Sequence, residues 1–310
     1  MGTTRLFTHA AGLGHATPPH VDEQADRLRV VMDALEPLAL DVHEAPLATD
    51  ADILRCHTQA YLDEIKRLIP GEGWVCLDAG IDDETFLSPG SAPAIWRAVG
   101  GAVAAVEAVM AGGGNAFVAM RPPGHHAEAA KAMGFCIFGN VAIAAKHALE
   151  RGARRVAVLD FDVHHGNGTQ ALVEGDPRIL FASSQQLPMW PETGYADEVG
   201  PHGNLINMPL AAHTGEAEAL AAWDKALERV RSHDPDLILI SAGFDAHQDD
   251  PLADLRWTPG TYAKLTKRIT DLARDVCDGR VVSVLEGGYD LDALAACARA
   301  HASELQKAAT

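Results

Sequence analysis

The sequence predicts an α/β protein with a single domain, in which a mostly parallel sheet is flanked by helices. Short apolar runs rich in β-branched residues alternate with helical patterns, and one run, Leu237-Ile-Leu-Ile240, has no polar residue. Strands buried on both faces have this continuous apolar character, and strand–helix alternation is typical of doubly wound sheets. The chain has no repeat, low-complexity tract or Pro/Ser-rich linker, so we interpret residues 1–310 as one domain.

Each predicted element follows from a local pattern. The short β-branched or apolar runs predict strands at 115–120, 155–160, 178–182, 236–241 and 281–285. The longer patterns between them predict helices at 91–111, 140–151, 215–232 and 258–277, with a last helix after Asp290. For the first of these helices, we expect Ser91 to be the N-cap and Pro93 to lie in the first turn.

The composition limits the classes of function. With 25 Lys and Arg against 43 Asp and Glu, the net charge is −18. Nucleic-acid binding needs a basic surface, so this charge argues against a nucleic-acid partner, and it allows a cationic one. The apolar stretch 101–113 contains Glu107 and glycines, so we expect no membrane span. Five cysteines without a C-x-x-C pair predict reduced thiols and a cytoplasmic location, and the sequence leaves a homo-oligomer open.

Polar clusters follow four of the predicted strands. They are Arg121-Pro-Pro-Gly-His-His126, Asp160-Phe-Asp-Val-His-His165, Ser241-Ala-Gly-Phe-Asp245 and Glu286-Gly-Gly-Tyr289. In an open α/β sheet, ligands bind in the crevice beyond the carboxyl ends of the strands. The four clusters therefore predict a functional site at one edge of the sheet.

Asp162 and His164 are candidate metal ligands. They flank one residue, so on an extended segment both side chains point to the same side. Asp245, at another strand end, is the best candidate for a third ligand, because an unpaired carboxylate beside a buried strand would be costly. One imidazole and two carboxylates suit zinc and leave room for water and substrate, while iron(II) would accept a similar set. A lone Asp-x-His pair is otherwise more often a pair of surface polar residues.

The tandem His125-His126 and Tyr289 are candidate catalytic residues. Two prolines and a glycine precede the histidine pair and predict an irregular loop. A histidine suits the task of taking a proton from a metal-bound water near neutral pH, and a tyrosine hydroxyl can donate to a developing oxyanion. Taken alone, the histidines would be solvated loop residues and Tyr289 an ordinary turn residue.

The motifs together resemble the histone deacetylase superfamily, most closely its class II branch and the bacterial deacetylase-like amidohydrolases. The resemblance runs from about Ser88 to the C-terminus. It rests on five segments in order: Arg121-Pro-Pro-Gly-His-His-Ala127, Gly134-Phe-Cys136, Asp160-Phe-Asp-Val-His-His-Gly-Asn-Gly-Thr-Gln170, Ser241-Ala-Gly-Phe-Asp-Ala-His247 and Leu285-Glu-Gly-Gly-Tyr289. It implies an arginase/deacetylase-like fold and a metal-dependent deacetylase.

The resemblance also implies roles for individual residues. It implies that the zinc ligands are Asp162, His164 and Asp245. The catalytic residues that it implies are His125, His126, Tyr289, Asp160 and Asn167. Within this set, His126 is the expected general base and acid, oriented by Asn167 where class I members carry Asp. His125 is expected to be held by Asp160, and Tyr289 to polarise the substrate carbonyl.

Two further sites are implied in the same way. The substrate tunnel is assigned to Gly134, Phe135, Trp190 and Leu252. A structural potassium site is assigned to Asp160, Asp162, His164, Ser183 and Ser184, although an ordinary loop at 183–184 is equally compatible with the sequence. Asp82 or Asp83 is either a rim acid that grips substrate or part of an acidic surface loop.

The family resemblance leaves the substrate open between an acetylated lysine side chain and an acetylated polyamine. A polyamine-selective relative carries a glutamate where this chain has Leu252, which favours acetyl-lysine in protein or peptide. A more distant alternative is a binuclear manganese ureohydrolase of the arginase type. The signature of that class continues Asp-x-His-x-Asp, whereas this chain has Gly166 at the last position.

Overall fold

Eight strands form the central sheet of this structure, a computed structural model that describes residues 3–309. All pairings within this sheet are parallel, and the strand order is β2-β1-β5-β10-β9-β6-β7-β8. The strands of the described chain are β1 (Arg5–Thr8), β2 (Asp41–Glu44), β3 (Val75–Cys76), β4 (Phe86–Leu87), β5 (Asn115–Ala119), β6 (Val156–Asp160), β7 (Ile179–Gln186), β8 (Leu205–Leu210), β9 (Leu237–Ala242) and β10 (Val281–Leu285). Strands β3 and β4 form a separate antiparallel pair.

Helices cover both faces of the sheet. Their bounds are α1 (Ala11–Gly14), α2 (Asp26–Leu35), α3 (Asp50–Ile53), α4 (Gln59–Leu68), α5 (Ser91–Gly112), α6 (Asn140–Glu150), α7 (Asn167–Val173), α8 (Glu216–His233), α9 (Pro259–Cys277) and α10 (Leu291–Ala308), with a short 3-10 helix at Glu36–Leu38. Apolar residues of α4, α5 and α6 form the core on one face, and those of α2, α8, α9 and α10 form the core on the other. The fold is therefore a doubly wound α/β domain, as the sequence predicts.

The burial of both faces of the sheet explains why the central strands are continuous apolar runs in the sequence. In β5, Val118 packs into one core and Phe117 into the other. In β9, Leu239 and Ile240 divide between the two cores in the same way. Successive side chains of a strand point to opposite faces, so a strand covered on both sides must be apolar at every position.

Among residues 3–309, α5 is the one helix long and apolar enough to cross a membrane. Most of this helix is buried inside the protein, where it packs against α6, β5 and β10. A buried core helix meets the same criteria of length and composition, so α5 is assigned to the core of the domain.

The predicted elements that surround the site are confirmed, and several outer ones were missed. All five predicted strands and five predicted helices are present, and β10 has the predicted bounds. The sequence did not predict β1, β2 and β8, nor helices α2, α4 and α7. The predicted N-cap is wrong, because Gly90 occupies the cap position of α5. Ser91 is the first helical residue, and its hydroxyl instead bonds His15 Nδ1 at 2.7 Å and accepts from Ser88 N–H at 2.7 Å.

Candidate active site

The four polar clusters lie at the carboxyl ends of four adjacent strands, in the order β5, β10, β9 and β6. Because these strands are parallel, their carboxyl ends meet at one edge of the sheet. The clusters are separated by up to about 165 residues in sequence, yet the topology brings them together. The predicted crevice is thus formed by the central strands.

Asp162, His164 and Asp245 form one buried group. Their ligand atoms all lie within 4.8 Å of one another. His164 Nδ1 lies 3.1 Å from Asp162 Oδ1 and 3.3 Å from Asp245 Oδ2. Both carboxylates are fully buried. One imidazole nitrogen and two carboxylates in this arrangement fit a zinc or iron(II) ion with open positions for water and substrate.

Two further observations support a cation at this group. Asp245 Oδ2 is buried and makes no hydrogen bond of good geometry, although His164 Nδ1 lies 3.3 Å away, whereas Asp245 Oδ1 accepts from Val163 N–H at 2.8 Å. A Cβ at Gly287 would overlap the oxygens of both carboxylates, so only glycine allows the chain to pass this close. A buried carboxylate oxygen with no donor is costly unless a cation satisfies it.

His125 and His126 differ in their partners. His125 Nδ1 lies 3.0 Å from Asp160 Oδ2, and His126 Nδ1 lies 2.8 Å from Asn167 Oδ1. Burial disfavours charge on His125, but Asp162 and Asp160 outweigh it and raise the pKa of His125 well above its usual value. Burial and the neighbouring His125 lower the pKa of His126 well below its usual value. The two shifts have opposite directions and favour the charged form of His125 and the neutral form of His126.

Tyr289 lies at the end of the loop that follows β10. Its ring packs 5.5 Å from that of Phe135, and Arg27 lies over it at 4.9 Å. Burial raises the pKa of the Tyr289 phenol well above its usual value, although Arg27 opposes this shift. The hydroxyl therefore keeps its proton and remains a donor near neutral pH.

The residues predicted to form the tunnel surround the histidine pair. Trp190 packs against the ring of His126, with centroids 4.7 Å apart, while Phe135 lies on the side of Tyr289. Gly134 has a φ of +53°. A Cβ there would lie 2.5 Å from Trp190 and 2.6 Å from His126. Gly134 is thus required both by its backbone conformation and by the space between the wall and the imidazole.

Asp250 links the backbone of Leu252 to the backbone of Tyr289. The two oxygens of this carboxylate accept from Leu252 N–H at 3.1 Å and from Tyr289 N–H at 2.8 Å. The backbones of the two residues therefore lie on either side of one carboxylate. Asp250 was not predicted as a site residue, although its position five residues after Asp245 in a polar run could have drawn attention to it.

The residues predicted for potassium lie on β6, on the loop after it and on β7. Ser183 and Ser184 belong to β7, which extends to Gln186, so they do not form an ordinary loop. The hydroxyl of Ser183 is buried without a partner, and Asp160 pairs with Ser183 in register across the sheet. The hydroxyl of Ser184 accepts from Trp223 Nε1 at 3.0 Å. A buried hydroxyl without a partner is a candidate ligand for an ion.

Of the two candidate rim acids, Asp82 is the one that contacts Trp190, a residue predicted for the tunnel wall. Its Oδ1 accepts from Trp190 Nε1 at 3.2 Å, whereas Asp83 Oδ1 accepts from Gly80 N–H at 2.8 Å. Thr85, in the same segment, accepts from Phe135 N–H at 3.0 Å. This segment therefore contacts both aromatic walls.

A buried ion-pair network behind the site was missed by sequence reasoning. Glu23 pairs with Arg27 at 2.8 Å and with Arg121, and all three side chains are fully buried. Arg27 also donates to the carbonyls of Gly288 at 2.6 Å and Glu286 at 2.5 Å. The signal in the sequence was Arg121, which opens the first polar cluster, but its partner lies 98 positions away.

Comparisons with known proteins agree with this geometry. A family model described as "Histone deacetylase domain" matches residues 20–305. A histone deacetylase-like amidohydrolase of Pseudomonas aeruginosa is 38% identical over 95% of this chain and 78% of its own length. Histone deacetylase 14, chloroplastic, of Arabidopsis thaliana is 36% identical over 93% of this chain and 73% of its own length.

A solved structure gives the same result at the level of the fold. The crystal structure of the HDA15 HD domain superposes with a TM-score of 0.92 at 31% identity, covering 99% of this chain and 90% of that one. The family match covers most of the chain, and the relatives are more than 30% identical over more than two thirds of their lengths. The chain therefore belongs to the histone deacetylase family and is a hydrolytic deacetylase.

Proposed function

We propose that the protein is a zinc-dependent amidohydrolase that removes an acetyl group from a lysine side chain in protein or peptide. The observation that carries this proposal is the buried group of Asp162, His164 and Asp245, which lies beside His126 within an aromatic-walled approach. The unpartnered oxygen of Asp245 supports the presence of a cation there. Family membership supports the hydrolysis of an acylated amine.

Asp162, His164 and Asp245 would hold the zinc ion, which when bound polarises the acyl carbonyl and lowers the pKa of a bound water to about 7. His126 is neutral and hydrogen-bonded through Nδ1, so its Nε2 is free to accept the proton of the attacking water. The same imidazole then returns the proton to the leaving amine. General acid–base help of this kind contributes roughly 10² to 10⁴ in rate.

In this mechanism, His125 and Tyr289 stabilise the negative charge that develops on the substrate oxygen. His125, paired with Asp160, supplies a fixed positive charge beside the reacting centre. Tyr289 keeps its proton and donates from its hydroxyl to the oxygen that becomes negative. Gly134, Phe135 and Trp190 exclude water from the acyl-lysine stem and hold it in an extended form.

The choice of acetyl-lysine over an acetylated polyamine rests on Leu252. The backbone N–H groups of Leu252 and Tyr289 both donate to the Asp250 carboxylate, and residue 252 is aliphatic rather than acidic. A second ammonium group of a polyamine would therefore find no counter-charge on the side chain of residue 252. The net charge of −18 attracts either type of cationic substrate and does not separate them.

The ureohydrolase alternative is disfavoured by Gly166. A second metal ion of that class needs a further carboxylate two positions after His164, and Gly166 stands there. A Cβ at Gly166 would overlap the carboxylate of Asp160, so no side chain fits. This supports a site for one transition-metal ion.

We extend the proposal to a structural potassium ion and to the cellular compartment. The orphaned Ser183 hydroxyl, on the residue paired with Asp160 across the sheet, supports the ion. Asp162 and His164 would be further ligands, and Ser184 would contribute its backbone. The five cysteines are free thiols, which supports a reducing compartment such as the cytoplasm.

The experiment that tests this function is a substrate panel on the purified protein reconstituted with zinc or with iron(II). It compares an acetyl-lysine peptide, free acetyl-lysine, acetylputrescine, acetylspermidine and longer acyl-lysine peptides by kcat/KM, with metal content measured by elemental analysis. We expect one metal equivalent and the highest kcat/KM on the acetyl-lysine peptide. Faster turnover of acetylputrescine than of the acetyl-lysine peptide would show that the substrate is a polyamine. In a parallel sample reconstituted with manganese and given arginine, two manganese equivalents with urea release would reject the deacetylase reaction.

A Tyr289→Phe variant separates catalysis from binding in the same panel. Loss of one oxyanion donor costs about 10² to 10³ in kcat. An unchanged rate in Tyr289→Phe, or tight binding of the acetyl-lysine peptide by wild-type protein without turnover, would indicate an acyl-lysine binding module.

A further inference from the structure

Glu286 is a fully buried carboxyl group to which the proposed reaction gives no role. It is the first residue after β10 and begins the loop that carries Tyr289. Its Oε2 accepts from Gly124 N–H at 2.7 Å and from His125 N–H at 3.2 Å, and its Oε1 accepts from Ser241 Oγ at 3.0 Å. Burying a carboxyl group destabilises the fold unless the group is hydrogen-bonded, and here its two oxygens accept three hydrogen bonds.

These three hydrogen bonds join three separate parts of the site. Gly124 and His125 belong to the loop after β5, which carries the histidine pair. Ser241 lies near the end of β9, four residues before Asp245. The bonds of Glu286 therefore link the loop of the general base, the strand of a metal ligand and the loop of the oxyanion donor.

The backbone around Glu286 is fixed as well. Its N–H donates to Ala242 O at 3.0 Å, and its carbonyl accepts from Arg27 at 2.5 Å. The next residue, Gly287, donates its N–H to Asp162 Oδ2 at 2.9 Å. A side chain held in this way transmits the position of one loop to the others, because its own freedom to move is small.

We propose that Glu286 is a positioning residue that holds the His125–His126 loop in register with the Tyr289 loop. It contacts backbone N–H groups and a serine hydroxyl, none of which touches substrate in the proposed reaction. Its role is to keep His126 and Tyr289 directed at the same carbonyl carbon and oxygen. The inference rests on the proposed function, since it assigns those two residues to a single reaction.

Two variants test this role. Glu286→Leu keeps a side chain of similar size and removes all three hydrogen bonds. We expect a fall in kcat of about ten- to a hundredfold, the usual cost of misplaced or unsupported catalytic groups, with KM within twofold and metal content unchanged. In Glu286→Gln the amide oxygen still accepts from Gly124 and His125, and its NH₂ donates to the Ser241 hydroxyl. We expect Glu286→Gln to recover most of the lost kcat.

Ser283→Ala is the matched control. Ser283 lies on β10, three residues before Glu286, and is equally buried, but its hydroxyl bonds His301 Nε2 at 2.8 Å and not an active-site loop. We expect this variant to lower the melting temperature and leave kcat unchanged. Equal losses of kcat in Ser283→Ala and Glu286→Leu would overturn the proposal, because they would indicate a general loss of stability.

Crystal structures of the variants provide a readout that needs no substrate. We expect the 124–126 loop to move relative to Tyr289 in Glu286→Leu and to stay in place in Glu286→Gln and Ser283→Ala. A wild-type protein inactive on every acyl amine would reject the proposed function, whereas the loop displacement would still test the positioning role.

Three results would overturn the positioning role: wild-type kcat in Glu286→Leu, a defect in Glu286→Gln as large as in Glu286→Leu, or a change confined to KM. Should Glu286→Leu fail to fold, Ser241→Ala removes one of the three bonds without replacing the carboxyl. We then expect a smaller fall in kcat, of about two- to fivefold, and a rate equal to wild type would reject the role.

Discussion

Asn167 accepts a hydrogen bond from His126, with Asn167 Oδ1 at 2.8 Å from His126 Nδ1. The acceptor fixes the proton of the neutral imidazole on Nδ1 and leaves Nε2 as the basic atom. The amide group of Asn167 also donates to Glu128 Oε1 at 3.0 Å. An amide can serve both partners, whereas a carboxylate at this position would face Glu128 with like charge. The local structure thus explains why an uncharged residue can orient His126, the proposed general base.

This relationship predicts the pH dependence of Asn167→Asp. A carboxylate beside Nδ1 stabilises the protonated imidazole, so the pKa of His126 rises. The basic form is the one that accepts a proton, and the acid limb of the kcat/KM profile therefore moves to higher pH, by about 1 unit. The measurement is the pH–rate profile. Glu128→Gln is the control, since it keeps Asn167 as the acceptor and should move the limb much less. A profile of Asn167→Asp that coincides with wild type would contradict the orientation of His126 by Asn167.

Gly134 gives a prediction about the tunnel. Gly134→Ala introduces a Cβ at 2.5 Å from Trp190 and 2.6 Å from His126, at a φ of +53°. The clash displaces either the tunnel wall or the imidazole, so we expect kcat/KM to fall by at least about tenfold. Gly73→Ala is the matched control. Its φ is +66°, with no atom within 4 Å of the new Cβ. It should cost about 1 kcal/mol of backbone strain and leave the rate unchanged. Equal rates in the two variants would mean that the space beside Gly134 is not part of the substrate path.

The buried network of Glu23 predicts how stability depends on pH. Burial disfavours the Glu23 carboxylate, but Arg121 and Arg27 outweigh it and lower the pKa of Glu23 from 4.5 to about 2. A carboxyl with a lowered pKa stabilises the folded state above its unfolded pKa and loses that contribution as the pH falls through the folded value. We therefore expect this part of the free energy of unfolding to be complete above pH 4.5 and to disappear towards pH 2.

Glu23→Gln tests the same network at neutral pH. The variant leaves Arg27 and Arg121 buried without their carboxylate, which costs about 3 to 5 kcal/mol. Denaturant titrations at several pH values would measure this loss, and the slope between pH 4.5 and 2 should be weaker than in wild type. Asp26→Asn, which breaks the exposed pair with Arg29, should change stability by less than about 1 kcal/mol. A similar small effect of Glu23→Gln would show that the network does not support the fold.

Local sequence patterns predicted the positions of the polar clusters at strand ends, but not the order of the strands that carry them. The motifs on β5, β6, β9 and β10 each follow an apolar run, so their place at strand ends could be read locally. The insertion of β10 between β5 and β9 depends on pairings between distant segments, which local patterns do not contain.

The missed elements have physical reasons of their own. Strand β2 is an edge strand whose side chains are mostly exposed, and β8 contains Pro209 at the opposite edge. Neither has the continuous apolar character of a covered strand. The pairing of Glu23 with Arg121 and the three bonds of Glu286 are long-range contacts of single side chains, and no spacing in the sequence signals them.

Ser183 provides the last prediction, which concerns potassium. Its hydroxyl is fully buried and has no hydrogen-bond partner, so Ser183→Ala removes a candidate ligand without breaking another bond. We expect the potassium concentration for half-maximal activity to rise by roughly tenfold, which corresponds to about 1.4 kcal/mol, with the rate restored at saturating potassium. Ser184→Ala is the control, because the Ser184 hydroxyl is engaged by Trp223. That variant should lower stability and keep the wild-type potassium dependence. If the wild-type protein were equally active in sodium and in potassium, the ion site would be rejected. The unpartnered hydroxyl of Ser183 would then simply lower the stability of the fold.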